Sequence, residues 1–167
     1  MTIHDNMFDN PESSEDTPET VMVSGGFDPV HAGHIRMIRE AAKYGDVIII
    51  ANSDDWLYRK KGFVFMEYPR RVEILNAIKG VVLVDSVDDS DGTVCEAIQR
   101  LKPTYFANGG DRGKANTPEQ AVCEDLGVRL LWGVGGEQKL QSSSDLTVKG
   151  RDFDIPPIRS KSKISQK

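Results

Sequence analysis

Cysteine and histidine are scarce in this chain: two and three of 167 residues. Cys95 and Cys123 lie in segments with helical patterning and have no metal-ligand spacing. A disulfide framework and a cysteine-based metal module are therefore not expected, and both residues read as reduced thiols of a cytoplasmic protein. No apolar run approaches the ~20 residues that cross a bilayer. The first twenty residues also lack the basic start and apolar stretch of a signal peptide. These absences predict no membrane partner. Positive charge is in deficit as well, with 21 Lys and Arg against 26 Asp and Glu and a net charge of −5. Nucleic acid is not an expected partner, since such binders carry a basic surplus.

The length is enough for one domain with a real core. Residues 1–19 hold Asp5, Asp9, Glu12, Glu15, Asp16 and Glu19 without Lys or Arg, and read as a flexible acidic tail. Residues 151–167, with Pro156-Pro157 and then Arg159, Lys161, Lys163 and Lys167, read as a flexible basic one. The expected domain spans 20–150. Within it, short runs rich in Val, Ile and Leu at 21–27, 47–53, 81–87, 105–110 and 128–134 have strand character. Helical patterns lie at 34–44, 68–80, 91–103 and 117–127, punctuated by Gly45, Gly80, Pro103 and Gly127. In the first of these Ile35, Ile38, Arg39 and Ala42 share a face; in the second Val72, Leu75, Ala77 and Ile78 do. The alternation predicts an α/β fold: a five-stranded parallel Rossmann-like sheet, helices on both faces, in a single domain.

Two of the three histidines fall in one turn, GGFDPVHAGH, between the first strand and the first helix. In parallel α/β sheets ligands bind beyond the carboxyl ends of the strands, which is where this turn lies. Gly25 and Gly26 allow a sharp bend and close approach to a ligand. Asp28-Pro29 shapes a turn, Gly33 keeps room between the imidazoles, and His34 opens a helix whose amides favour an anion. His31 and His34 at such a place suit a phosphate chain and the charge that grows on it. The turn is neither a P-loop nor a G-x-G-x-x-G fingerprint. A closed zinc site lacks further ligands.

The turn resembles the H-x-G-H signature of the nucleotidyltransferase superfamily, nearest the glycerol-3-phosphate cytidylyltransferase and heptose-1-phosphate adenylyltransferase branch. The resemblance implies that His31 and His34 contact nucleotide phosphates, with Gly25, Gly26, Phe27, Asp28 and Gly33 shaping the nucleotide site. It also implies that the acceptor's own phosphate attacks the α-phosphorus, so catalysis is positioning and charge stabilisation. In the basic loop 52–62, Lys60 corresponds to a phosphate-gripping lysine, with Lys61 and Arg59 toward the acceptor. Arg71, rather than Arg70, matches the helix arginine that faces the site. Gly109, Gly110 and Asp111 match a nucleoside-side turn. Ser142, Ser143 and Ser144, opening a last helix after the fifth strand, match the hydroxyl motif at the leaving phosphates. Two departures stand out: GGEQKL at 135–140 replaces an Arg-Thr-Glu-Gly stretch, and Thr147 takes a position that is basic in some adenylyltransferases.

The expected activity is transfer of CMP or AMP from CTP or ATP to a sugar or polyol phosphate, with Mg2+ carried by the triphosphate and pyrophosphate released. The resemblance further implies a homodimer. Two alternatives stand beside it: adenylyl transfer to a cofactor precursor such as nicotinate mononucleotide, and a non-catalytic nucleotide sensor on the same fold.

Overall fold

A computed structural model of the chain describes residues 17–108 and 117–136. Its elements run β1 (Thr20–Gly25), α1 (Ala32–Ala41), β2 (Asp46–Ala51), α2 (Asp54–Lys61), α3 (Tyr68–Asn76), β3 (Val81–Asp85), α4 (Cys95–Leu101), β4 (Tyr105–Ala107), α5 (Pro118–Leu126) and β5 (Arg129–Leu131). All strand pairs are parallel, in the order β3-β2-β1-β4-β5. The expected five-stranded α/β architecture is observed.

Strand alternation divides the core in two. Val21, Val23, Val47, Ile49 and Ala51 pack with Ile38 and Ala41 of α1 and Leu75 of α3. Met22, Ile48 and Ile50 face the other way, onto Ala97 and Ile98 of α4 and Cys123 of α5. β2 is buried from Val47 to Ala51 because both of its faces are covered. Each such Val or Ile contributes about 1.5–3 kcal/mol. The helices change face because strand order reverses at β1, and right-handed crossovers running in opposite directions put their helices on opposite sides. The crevice between the carboxyl ends of β1 and β4 is therefore the switch point of the sheet. Burial pushes the Cys123 thiol up to about 11, so it stays protonated at neutral pH.

Several boundaries differ from expectation. Within residues 52–62, read as a loop, Asp54–Lys61 form helix α2, which Ser53 caps by accepting from the Trp56 amide at 3.0 Å. Asp54 and Asp55 lie in its first turn and Arg59, Lys60 and Lys61 in its last, matching both ends of the helix dipole. Only Leu57 is buried in it, so no apolar stripe announces the helix. α4 begins at Cys95 because Asp91 first holds Thr93 in a side-chain turn. On α1, Ile38 and Ala41 are buried while Arg39 is exposed. On α3 the inward residues are Arg71 and Leu75.

Candidate active site

β1 leads into the glycine turn at the switch point. A Cβ on Gly26 would lie 2.7 Å from Leu57 Cδ2, so any larger residue here would push the Leu57 side chain of α2 aside. Phe27 follows in the left-handed region (φ 51°) with its ring buried. His31 is then the N-cap of α1, which begins at Ala32. The helical pattern of the sequence predicts a start at His34. It starts earlier because imidazole Nδ1 serves as a cap acceptor: His31 Nδ1 accepts from Gly33 N–H at 3.1 Å, and His34 Nδ1 accepts from His31 N–H at 3.2 Å. This is a reciprocal capping pair built from two imidazoles. The rings do not stand apart across Gly33, as expected, but stack with centroids 3.8 Å apart and planes 22° apart. Phe27 packs on His34 at 4.9 Å.

Because each Nδ1 accepts, each neutral ring carries its proton on Nε2. Burial, and then the neighbouring His31, lower the His34 pKa to about 4; burial lowers that of His31. At neutral pH the pair is therefore uncharged and presents two Nε2–H donors in fixed orientation. Each Nε2–H can donate to an anionic oxygen without the ring first gaining a proton.

The His34 shift has a stability consequence. With a folded-state pKa below the unfolded one, its contribution is complete above pH ~6.5 and is lost as pH falls toward about 4. The full span is worth about 3 kcal/mol. A His34→Asn variant keeps a side-chain cap acceptor but cannot titrate. Between neutral pH and pH ~4, urea denaturation should show the wild type losing about 2–3 kcal/mol more than this variant. Parallel losses would contradict the assigned burial.

Two buried charges hold the turn from below. The Asp28 side chain is wholly buried and accepts from the amides of Phe65 (2.7 Å) and Met66 and from Lys61 Nζ (2.8 Å). Lys61 also donates to the Asp28 carbonyl at 2.6 Å. Arg71 is fully buried: Nε donates to Met66 O (2.9 Å), Nη1 to Gly26 O (2.7 Å) and Asn52 O (2.8 Å), and Nη2 to Asp54 Oδ1 (2.7 Å). Four of its five donors are thus committed within the protein. Arg71 was expected to face phosphate; here it joins the ends of β1 and β2, the start of α2 and the segment before α3.

The other basic residues diverge. Arg59 donates to the carbonyls of Asp89 (2.8 Å) and Ser90 (3.0 Å). Lys60 lies 4.4 Å from the centre of the Trp56 ring and is paired with no carboxylate among the described residues. Gly109, Gly110, Asp111, Ser142, Ser143 and Ser144 lie outside the described residues. Among the described residues no group of three His, Cys, Asp or Glu side chains is placed to hold a metal ion.

Asn52 and Asp89 were not anticipated. Buried Asp89 accepts from Asn52 Nδ2 (3.1 Å), Ser53 N–H (2.8 Å) and Ser53 Oγ (2.7 Å), fixing the start of α2 beside the turn. The N-S-D order after β2 carried the cap signal; nothing local to Asp89 marked it. A cavity of about 220 Å³ at the β1/β4 crevice, lined by Ser24, Met37, Phe106, Asn108, Thr117 and Glu119, was also not foreseen.

A family model described as cytidylyltransferase-like matches residues 22–155, well over half of the chain. The chain belongs to the cytidylyltransferase-like family. Among relatives, it is 31% identical over 116 residues to the bifunctional protein HldE of Desulfatibacillum aliphaticivorans, covering 66% of this chain but 23% of that protein. It is 35% identical to HldE of Streptomyces coelicolor over 67% of this chain and 25% of that protein. The chain thus spans about a quarter of the length of these bifunctional members. The FAD synthase of Archaeoglobus profundus is 34% identical over 66% of this chain and 68% of its own. Among solved structures, the lipopolysaccharide core biosynthesis protein of Thermoplasma volcanium shares the fold, with TM-score 0.58, 22% identity, and coverage of 69% of this chain and 93% of that one. No helix among the described residues is long and apolar enough to cross a membrane.

Proposed function

We propose that this cytidylyltransferase-like chain is a nucleotidyltransferase that moves CMP or AMP from CTP or ATP onto a sugar or polyol phosphate. The observation that carries the reading is the imidazole capping pair at the switch point, neutral and with both Nε2–H groups oriented. In the proposed reaction an acceptor phosphate oxygen forms a bond to the α-phosphorus while the bond from that phosphorus to the leaving oxygen breaks. The displaced electron pair leaves on pyrophosphate. His31 and His34 donate to the oxygens on which charge accumulates, and no protein nucleophile is required.

The nucleoside is assigned to the β1/β4 cavity, next in sequence to Gly109, Gly110 and Asp111. Lys60 is the basic residue best placed for a phosphate, because Lys61 and Arg59 already have protein partners. Ser142, Ser143 and Ser144 are assigned to the leaving phosphates. Mg2+ fits as an ion carried by the triphosphate, because Asp28 and Asp54 are committed to Lys61, Arg71 and backbone amides. The relationship to an FAD synthase across 68% of that protein favours, as a second reading, AMP transfer to a nucleotide acceptor to form a dinucleotide.

Pyrophosphate release with Mg2+ tests both readings, crossing CTP, ATP, GTP and UTP against sugar phosphates, polyol phosphates and mononucleotides. Release with one nucleotide and a sugar or polyol phosphate supports the first reading. Release only with ATP and a mononucleotide supports the second. Tight nucleotide binding with no release on any acceptor would leave the sensor alternative.

A further inference from the structure

A flank of α1 and the segment after β5 enclose an open groove of about 720 Å³ whose lining includes neither His31 nor His34. Arg36, Arg39 and Lys43 line one side, at the three- and four-residue spacing that places them on one stripe. Trp132 and the Gly133–Gly136 segment line the other. A Cβ on Gly135 would lie 3.1 Å from Met37 Cα, so this wall is pressed against the helix. Glu40 is the acidic side chain in the lining and pairs with Lys43 at 2.9 Å, an exposed contact of little strength. The lining carries three cations against one carboxylate.

The chain's negative charge is concentrated elsewhere. Residues 1–16 contain five acidic residues and no Lys or Arg, which equals the net charge of the whole protein. This segment also joins the fold at the foot of the groove. Glu19 O accepts from Asp46 N–H at 2.9 Å, and a Cβ on Gly45 would lie 2.2 Å from that oxygen. The chain thus enters beside Tyr44 and Lys43. The stripe from Arg36 to Lys43 spans ~10 Å. Sixteen residues reach up to ~50 Å.

We propose that residues 1–16 seat in this groove of their own chain, with carboxylates against Arg36, Arg39 and Lys43 and Met7-Phe8 against Trp132 and Tyr44. Single exposed ion pairs are weak. Attachment close to the groove supplies millimolar effective concentration, which lets weak contacts suffice. Residues 137–167, which continue from the groove's other wall, carry seven Lys and Arg against four Asp and Glu and match it poorly in charge. The proposal is independent of the reaction assigned above.

Trp132 is the reporter, in a Trp56→Phe background that removes the only other tryptophan. Deleting residues 1–16 should raise acrylamide quenching of Trp132 about twofold, and ~0.5 M NaCl should do the same to the full chain but not to the deleted one. The full-length Arg36→Glu/Arg39→Glu variant should behave like the deletion. A peptide of residues 1–16 added to the deleted chain should restore protection at low salt. Equal quenching and salt response in full and deleted chains would overturn the proposal. So would protection that depends on protein concentration, which places the segment on another copy. Equal binding of tripolyphosphate by full and deleted chains, read at Trp132, would make the groove a small-anion site and overturn it too.

Discussion

Replacing His34 by alanine should lower kcat by about 10²–10³-fold while changing nucleotide affinity much less. Its Nε2–H is oriented in advance: Nδ1 is anchored on the His31 amide, one ring face stacks on His31, and Phe27 packs against the ring. A donor held this way loses no orientational freedom when charge develops, so its contribution falls mainly on the transition state. Alanine, however, removes two things at once, the donor and half of the cap that shapes the α1 entry. A cap of this kind is worth about 1 kcal/mol of stability.

The His34→Asn variant separates them. Its side-chain oxygen can take the place of Nδ1 and accept from His31 N–H, but it has no group where Nε2–H was. Turnover should fall about as far as in the alanine variant, while the urea midpoint stays near wild type at neutral pH. Turnover retained in the asparagine variant would show that His34 acts by holding the turn. Unchanged single-turnover chemistry in both variants, with only nucleotide binding weakened, would move the chain to the sensor reading.

The parts legible in the sequence are those whose chemistry is contiguous. GGFDPVHAGH carries its turn, its cap and its two imidazoles within ten residues, so the sequence alone places this candidate site at the end of β1. Sheet class was legible for a similar reason, since Val- and Ile-rich runs alternate with helical periods. Illegible features depend on distant partners. Asp28 reads as a turn residue beside Pro29, yet its carboxylate is satisfied by residues 33 to 38 positions away. Arg59, Lys60 and Lys61 look like one basic cluster, but consecutive helix positions point about 100° apart, and the three go to Asp89, Trp56 and Asp28. The stacking of the histidines was hidden because spacing alone does not show that Nδ1 will turn back to the chain.

Arg71 gives the second large effect, expected first in stability. Arg71→Met should lower unfolding free energy by about 3–5 kcal/mol, the range for removing one partner from a buried ionic cluster. Asp54 is partly exposed and can recover water, so most of the loss comes from the carbonyls of Gly26, Asn52 and Met66. Each buried group left unpaired costs about 1–3 kcal/mol. Lysine should rescue little: its one ammonium has three donors at a point, whereas the four acceptors are spread around a planar fork. Arg70→Met, on the exposed face next door, should change stability by less than ~0.5 kcal/mol. The alternative, an arginine that grips phosphate, makes a different pattern. It predicts an Arg71→Met protein of near-normal stability with raised KM for the nucleotide, and partial recovery by lysine, whose charge still attracts phosphate. Urea midpoints of the three variants, set beside their kinetics, decide between a residue that binds the substrate and one that holds the glycine turn of the proposed site in place.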